Sequence, residues 1–266
     1  MKLKDKIAVI TGAAGGMGKA ISMMFAEEGA DIAVIDKNIE KFNETDKEIK
    51  SLGRKTQTYT VDVTKKNEVD DVFSRIKKDF GRIDIVVNAA GVLGKMDTAL
   101  NQSENDWDYC VDINAKGVFL CSVAAARIMI DDIKAKKQER GKFVNIASMV
   151  GRTGMALCAP YCASKFAVVG LTQCFAREWG EYKINVNAVC PGIVVTDMFY
   201  DEFTQVSKLT GQNFDDIVNG IKESTIALKE VVYPKDIAYL ALYFAAEDSN
   251  IVTGQSLNIC GGHIML

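Results

Sequence analysis

An α/β fold with a doubly wound parallel sheet of about seven strands follows from three features of the sequence. Short apolar strands alternate with amphipathic helical segments along nearly the whole chain. The first strand runs straight into a glycine-rich turn, TGAAGGMG (11–18), and then a helix. The turns between elements are short, so successive strands lie parallel and are joined by right-handed helical crossovers.

The elements can be justified in order. KIAVI is the first strand; the helix KAISMMFAEEG follows the turn and ends at Gly29, a candidate C-cap. DIAVID is the second strand and ends on Asp36. Gly12, Gly16 and Gly18 are spaced T-G-x-x-x-G-x-G, and their missing side chains let backbone approach a pyrophosphate held at the helix N-terminus. A tight turn that binds nothing is the plainer reading. A strand before, a helix after and an acidic residue about 20 positions on argue against it. A carboxylate at Asp36 can accept hydrogen bonds from an adenosine ribose and repels a 2′-phosphate, and Gly15 offers no charge to hold one. Lys37 is the dissenting residue; NAD is favoured over NADP.

A helix over about residues 38–52 leads to RKTQTYTVDVT, a third strand ending at Asp62-Val63. Asp62 and Val63 are placed to touch an adenine, although Asp62 as a cap near the next helix fits equally well. EVDDVFSRIKKDFG is that helix, and RIDIVVNAAG is the fourth strand. NAAG, with Asn88, Ala89 and Gly91, puts small residues where backbone can pass a ligand. Ser103 caps a long helix, roughly 104–137, with Asn114 in its middle. Its flanks are apolar and small, so the amide is buried and must be satisfied or useful. Gly117 suggests a local kink that frees a backbone carbonyl.

GKFVNIAS is the fifth strand and ends on Ser148; a helix then runs to about Tyr182. INVNAVCPG is the sixth strand, turned by Pro191-Gly192. From Thr196 to about Val232 the period is lost, with helical hints at 198–209 and 214–228; an insert of this length reads as a substrate lid. Pro234 opens a helix ending near Glu247, and GQSLNICGG is a last short strand. Without linker or repeat, residues 1–266 read as one domain.

The totals exclude several classes. A net charge of -3 without a basic block argues against nucleic acid or an anionic membrane as main partner. No uninterrupted apolar run approaches the roughly 18 residues that span a bilayer, and the apolar part of MKLKDKIAVITG is too short for a signal peptide. Seven scattered cysteines and a single histidine, His263, support neither a disulfide framework nor a metal site. Reduced thiols point to the cytoplasm. His263 is read as structural or solvent-exposed.

The stretch Ser148–Lys165, SMVGRTGMALCAPYCASK, carries a hydroxyl, a phenol and an amine. If Tyr161 opens a helix, Lys165 shares its face. A phenol titrates near pH 10, and lowering it by about 3 units takes roughly 4 kcal/mol of preference for the phenolate. An ammonium on the same face is a direct source. Gly151, Met155 and Cys158, in the gap before Tyr161, are read as the nearest pocket wall.

Taken together, TGAAGGMG, Asp36, Asp62-Val63, NAAG, Asn114, Ser148, YCASK (161–165), PGIVVT (191–196) and TGQSLNICGG (253–262) resemble the short-chain dehydrogenase/reductase family. They keep the family's order and spacing, with Tyr161 thirteen positions after Ser148. NAAG in place of NNAG and Cys260 in place of a common Asp are the departures. The resemblance implies a single-domain Rossmann fold and a nicotinamide cofactor. Its cofactor contacts are Gly12, Gly16, Met17, Gly18, Asp36, Asp62, Val63, Asn88, Ala89, Gly91, Tyr161, Lys165, Pro191, Gly192, Val194 and Thr196. It implies a catalytic tetrad of Asn114, Ser148, Tyr161 and Lys165, and no metal. Tyr161 is then the base in alcohol oxidation and the acid in ketone reduction, and Lys165 lowers its pKa and holds the nicotinamide ribose. Ser148 steadies the substrate oxygen, and Asn114 fixes a water behind Lys165. A homotetramer through the two long helices and the last strand is expected from the same likeness.

The substrate expectation is a polyol, sugar alcohol or small diol. Asp197, Asp201, Glu202, Asn213, Asp215 and Asp216 of the lid are the candidate hydroxyl contacts. Three alternatives stand beside it. A hydroxysteroid dehydrogenase would use Met155, Leu157, Met198, Phe199 and Phe203 as an apolar lining. A 3-oxoacyl-thioester reductase would dock an acidic carrier on Lys134, Lys136, Lys137 and Arg140. A non-catalytic NAD-binding regulator would show a degraded tetrad, which this sequence does not.

Overall fold

Seven strands form one sheet in the order β3-β2-β1-β4-β5-β6-β7 in a computed structural model describing residues 1–266. They are β1 (Ile7–Thr11), β2 (Asp31–Asp36), β3 (Thr56–Thr60), β4 (Ile85–Asn88), β5 (Gly141–Ile146), β6 (Ile184–Pro191) and β7 (Ser256–Ile259). Every neighbouring pair is parallel. Sheets of this kind are covered on both faces, which is why IAVIT and IVVN are apolar at nearly every position and fully buried. The doubly wound sheet expected from the sequence is therefore present.

Nine α-helices cover it: α1 (Gly16–Glu27), α2 (Asn43–Ser51), α3 (Lys66–Phe80), α4 (Glu104–Val111), α5 (Gly117–Lys134), α6 (Ala159–Trp179), α7 (Asp197–Thr210), α8 (Phe214–Thr225) and α9 (Pro234–Ala245). One core layer joins α1 and α9 to the sheet through Ile21, Phe25, Ile237 and Phe244; the other joins α3, α5 and α6 through Phe73, Ile76, Phe175 and Trp179. Phe175 stacks on Trp179 with ring centroids 4.2 Å apart. The helix after the glycine turn ends two residues before Gly29, whose φ of +94° reverses the chain into β2. The segment over 38–52 divides into a short 3-10 turn, Glu40–Phe42, and α2.

The long helix expected over 104–137 has a fault in it. Ser103 and Asp106 form a reciprocal capping box at its start. Between α4 and α5, residues Asp112–Lys116 form a π-turn, with the Gly117 N–H bonded to the Asp112 carbonyl. A π-turn thus stands beside Gly117, where a local kink was expected. A Cβ there would come 2.8 Å from the Val63 side chain, so glycine lets α5 pack against the loop that follows β3. The combined run Glu104–Lys134 contains an 18-residue window apolar enough to cross a membrane, and 56% of that window is buried in this fold.

Asn88 donates to Ser122 Oγ (2.9 Å) and Asn145 Oδ1 (2.8 Å), and Asn145 donates to Thr172 Oγ1 (2.9 Å). This chain of buried polar groups ties β4 and β5 to α5 and α6 and leaves Asn88 Oδ1 as its one unpartnered atom. Residues 196–232, read from the sequence as a lid, contain α7 and α8 around an aromatic cluster of Phe199, Phe203 and Phe214, with centroids 5.0–6.0 Å apart. They are anchored by the Met96 N–H bonded to Gln205 Oε1 (2.9 Å) and by a bridge between Val194 and Val232.

Candidate active site

β1 and β4 are neighbours whose crossovers leave in opposite directions, so a crevice opens at their C-terminal ends. The Thr11 hydroxyl accepts from the Ala89 and Ala90 N–H groups (3.1 Å each) and ties the two strand ends together, a contact the sequence reading did not single out. A Cβ on Gly12, at φ +67°, would lie 2.7 Å from Ala90 Cα; one on Gly18 would lie 2.2 Å from the Gly12 carbonyl oxygen. These glycines are demanded by backbone meeting backbone. Gly15 has nothing within 4 Å of its ideal Cβ and faces the open crevice at the start of α1.

The resulting cleft of 570 Å³ is lined by Gly12, Gly16, Met17, Gly18, Asp36, Asp62, Val63, Ala89, Gly91 and Thr196, among others. Its dimensions, its glycine cradle and the helix N-terminus beneath it fit a dinucleotide. Asp36 Oδ2 accepts from Ala14 N–H (2.9 Å) and Oδ1 from Asn38 N–H (2.9 Å), which fixes the carboxylate at the rim. Lys37, with 80% of its side chain exposed, pairs with Asp62. It reaches 3.3 Å from Asp62 Oδ2, while Asp62 Oδ1 caps Thr64 through its N–H (3.0 Å) and hydroxyl (2.8 Å). Asp62 thus lines the cleft and closes the turn at Thr64, while the helix that follows starts after Lys65 without a side-chain cap.

Asn88 departs from its expected place. Its side chain is 2% exposed, committed to the Ser122–Asn145 network, and absent from the cleft wall. Pro191, Gly192 and Val194 line a second, 80 Å³ chamber that shares Met17, Ala89, Gly91, Thr196 and Met198 with the cleft. A Cβ on Gly192 would strike Cys260 Cβ at 2.6 Å, so the thiol at 260 fills the space behind this turn.

Ser148, Tyr161 and Lys165 converge on that chamber. Ser148 follows β5, and its Oγ accepts from the Val150 N–H (3.3 Å). Tyr161 sits in the first turn of α6, opened by Pro160, and Lys165 lies one turn on, with Nζ 5.6 Å from the phenol ring centroid. Lys165 is 5% exposed; Nζ donates to the Ile146 carbonyl (2.9 Å) and has no carboxylate partner. Burial lowers its pKa to about 8. Burial pushes Tyr161 upward, opposed by its hydrogen bond with Ser148. In the protein by itself, burial is the largest influence on the Tyr161 phenol.

Asn114 is fully buried in the π-turn. Its Oδ1 accepts from the Val92 N–H (2.8 Å); its Nδ2 donates to the Val92 carbonyl (2.8 Å) and to Ser164 Oγ (3.0 Å). Ser164 in turn donates to the Tyr161 carbonyl (2.7 Å). These bonds tie the loop after β4 to α6. Ser164 was overlooked, although it stands inside YCASK.

The chamber wall also differs from expectation. Met155 lines it, with Met149, Val150, Ile193, Met198 and Phe199. Gly151 does not; its Cβ would lie 2.6 Å from the Lys165 carbonyl oxygen, so it serves helix packing. Cys158 is turned inward, 3.4 Å from Cys162 Sγ. Of the six polar lid residues, Glu202 alone reaches the chamber. Asp197 is exposed near Lys41 (3.2 Å), Asp201 accepts from Gln205 (3.2 Å), Asn213 caps α8, and Asp215 and Asp216 face outward on its first turn. Leu157 and Phe203 lie outside the chamber, within the lid's own packing. His263 lies near the C-terminus, half-buried and away from both cavities.

Comparison with known proteins agrees with this geometry. The short chain dehydrogenase profile matches residues 6–207. A 3-oxoacyl-acyl-carrier-protein reductase of Thermotoga maritima is 34% identical over 265 residues, covering 100% of both chains. An NAD-dependent glycerol dehydrogenase of Listeria innocua is 34% identical over 98% of this chain and 94% of its own. Among solved structures, NAD+-bound xylitol dehydrogenase superposes with a TM-score of 0.93 at 29% identity, covering 98% of this chain and 100% of that one. The chain belongs to the short-chain dehydrogenase family, with that family's Rossmann-like fold and its nicotinamide-dependent oxidoreductase chemistry.

Proposed function

We propose that this short-chain dehydrogenase is NAD-dependent and interconverts a secondary alcohol and its ketone, with a polyol, sugar alcohol or small diol as substrate. One observation carries the reading: a single crevice runs from the Asp36 carboxylate at one end to Ser148, Tyr161 and Lys165 at the other. Asp36, held by two backbone N–H groups, suits a ribose diol and disfavours a 2′-phosphate. Gly12, Gly16, Met17 and Gly18 would hold the pyrophosphate, Asp62 and Val63 the adenine side, and Ala89, Gly91, Pro191, Gly192, Val194 and Thr196 the nicotinamide half.

When bound, the cofactor supplies the hydride acceptor or donor and, in its oxidised form, a positive ring charge. Tyr161 takes the hydroxyl proton in oxidation and returns it in reduction. Ser148 hydrogen-bonds the substrate oxygen and stabilises the charge developing on it. Lys165 orients the nicotinamide ribose and adds its charge to the field that favours phenolate. Asn114 acts through Ser164 and Val92, holding the loop and helix in register.

The relative sizes of the cavities favour a small substrate, because the 80 Å³ chamber has no room for a fused-ring steroid unless the lid moves. The basic groups considered for carrier docking point elsewhere. Lys136, Lys137 and Arg140 lie with Lys6, Arg82 and Lys142 at the N-terminal ends of β1, β4 and β5, opposite the catalytic edge. A cytoplasmic homotetramer is the proposed assembly. Trp107, Phe119 and Phe166 are exposed on α4, α5 and α6, and Leu257 is exposed on the edge strand β7; sedimentation at micromolar concentration tests it, a monomer refuting it.

The test of function is a rate panel with NAD and NADP over polyols, vicinal diols, hydroxysteroids and β-hydroxyacyl thioesters. NAD with a polyol or diol is expected to give the highest kcat/KM. A steroid or thioester ahead by orders of magnitude would refute the substrate class, and NADP ahead would refute the cofactor.

A further inference from the structure

The lid carries a carboxylate where an apolar residue would be expected. Phe199, Glu202 and Phe203 share one face of α7, the face that turns toward the body of the protein. Both phenylalanines are buried, and Glu202 between them lines the chamber with Ser148, Tyr161 and Lys165. It has neither an ion-pair partner nor a side-chain hydrogen bond, although nearly every other acidic side chain near the crevice has one. Asp36 caps Ala14, Asp62 caps Thr64, Asp197 meets Lys41 and Asp201 meets Gln205. The rest of the chamber wall above the tetrad is thioether, aliphatic and aromatic: Met149, Val150, Met155, Ile193, Met198 and Phe199. A carboxylate in such surroundings is costly without a hydrogen-bond donor.

We infer that Glu202 is a specificity residue: its carboxylate receives a second hydroxyl of the substrate, on a carbon next to the one that Tyr161 serves. The inference rests on the proposed dehydrogenase reading and deepens it by selecting, within alcohols, those with a neighbouring hydroxyl donor. It also selects against substrates with a carboxylate at that position, which would place two like charges in one small chamber. The titratable groups around Glu202 are Asp201 on its own helix, Tyr161 and Lys165 from α6 and Cys158 at the start of that helix. Lys165 lies across the chamber and is held by the Ile146 carbonyl. Burial and the neighbouring Asp201 raise the Glu202 pKa to about 7, in keeping with a carboxyl that lacks a protein partner.

The test uses matched substrates with NAD: propane-1,2-diol, propan-2-ol, lactate and 1-amino-2-propanol. They are assayed with the full-length wild type, Glu202→Gln and Glu202→Leu, after thermal unfolding and NAD binding confirm that each variant is folded. The wild type is expected to favour the diol over propan-2-ol by about tenfold or more in kcat/KM, and to reject lactate. Glu202→Leu should collapse the diol-to-mono-alcohol ratio by about tenfold, chiefly through KM for the diol, with Glu202→Gln intermediate because an amide still accepts one hydrogen bond. A ratio unchanged in Glu202→Leu would overturn this inference alone, as would lactate outpacing the diol. The amino alcohol outpacing the diol in wild type and losing that lead in Glu202→Leu would assign the carboxylate to a cation and overturn the hydroxyl reading. Failure to oxidise any alcohol with either cofactor would overturn the functional proposal, and this inference with it.

Discussion

The cleft and the chamber meet at Met17, Gly91, Thr196 and Met198, yet they are made of different material. The cleft is shaped by backbone: glycines at 12 and 18 whose Cβ positions are already filled by main-chain atoms, strand ends tied by Thr11, and a carboxylate fixed by two N–H groups. The chamber is shaped on its far side by the side chains of α7, a helix whose inward face could change without disturbing the sheet. Backbone constraints tolerate few residues and leave a clear sequence signature. A side-chain wall tolerates many, and its signature is correspondingly faint. On the proposed reading, the same division separates the chemistry, assigned to the sheet edge and α6, from the choice of alcohol, assigned to α7 and α8.

The largest effect should come from the phenol in the chamber. Tyr161→Phe removes the proton carrier while keeping the ring in the chamber wall. A loss in kcat of about 10³-fold, within the 10²–10⁴ range for general acid–base groups, is expected with NAD affinity retained by fluorescence titration. Retained turnover would move the chemistry off Tyr161; lost NAD binding would mean the ring is structural. Next comes Gly18→Ala in the cleft, where the new methyl would lie 2.2 Å from the Gly12 carbonyl oxygen. Main chain on both sides leaves little room to relax, so a loss of roughly 2–3 kcal/mol in stability to urea and a large rise in the NAD dissociation constant are expected. A neutral outcome would show the cleft to be far softer than the backbone contacts imply.

The difference between the regions also explains what was legible beforehand. All seven strands, the capped start at Ser103 and the glycine cradle could be read from apolar runs and from residues demanded by backbone geometry. Asn88 was misplaced because NAAG marks the passage of backbone and says nothing about which way an amide turns; the buried partners Ser122 and Asn145 come from distant segments. Gly151 and Cys158 were assigned to the chamber by proximity in sequence to Tyr161, while packing on Lys165 and Cys162 takes them away from it. The Tyr161–Lys165 spacing was readable, but the desolvation that works against it depends on the whole fold. For Glu202 a signal did exist: an acid between Phe199 and Phe203 at helical spacing, easily lost among five other polar lid residues.

A smaller effect is expected at the far end of the cleft. Asp36→Asn keeps one acceptor for the Ala14 or Asn38 N–H and removes the negative charge facing the 2′ position. The preference for NAD over NADP in kcat/KM should fall by about tenfold, equivalent to roughly 1.4 kcal/mol. An unchanged preference would shift cofactor choice away from Asp36.

The smallest effect compares the regions through pH. Glu202 titrates at about 7 in the folded protein against 4.5 as a free side chain, because burial and Asp201 disfavour its charged form. Between those values the folded state retains a proton that the unfolded chain has released. Stability from this group therefore falls as pH rises from 4.5 to 7 and stays lowered above it. Glu202→Gln carries no such charge, so it should equal wild type near pH 4.5 and exceed it at pH 8. For a half-buried side chain the gain is about 1 kcal/mol, well below the full value of the shift because water screens part of it. Urea unfolding of both proteins at pH 5 and pH 8 measures this. A gain of equal size at both pH values would mean that the substitution acts through packing, with no contribution from the Glu202 charge. A gain confined to pH 8 would mean that the lid carries, in the protein itself, a destabilising charge that a bound diol can relieve.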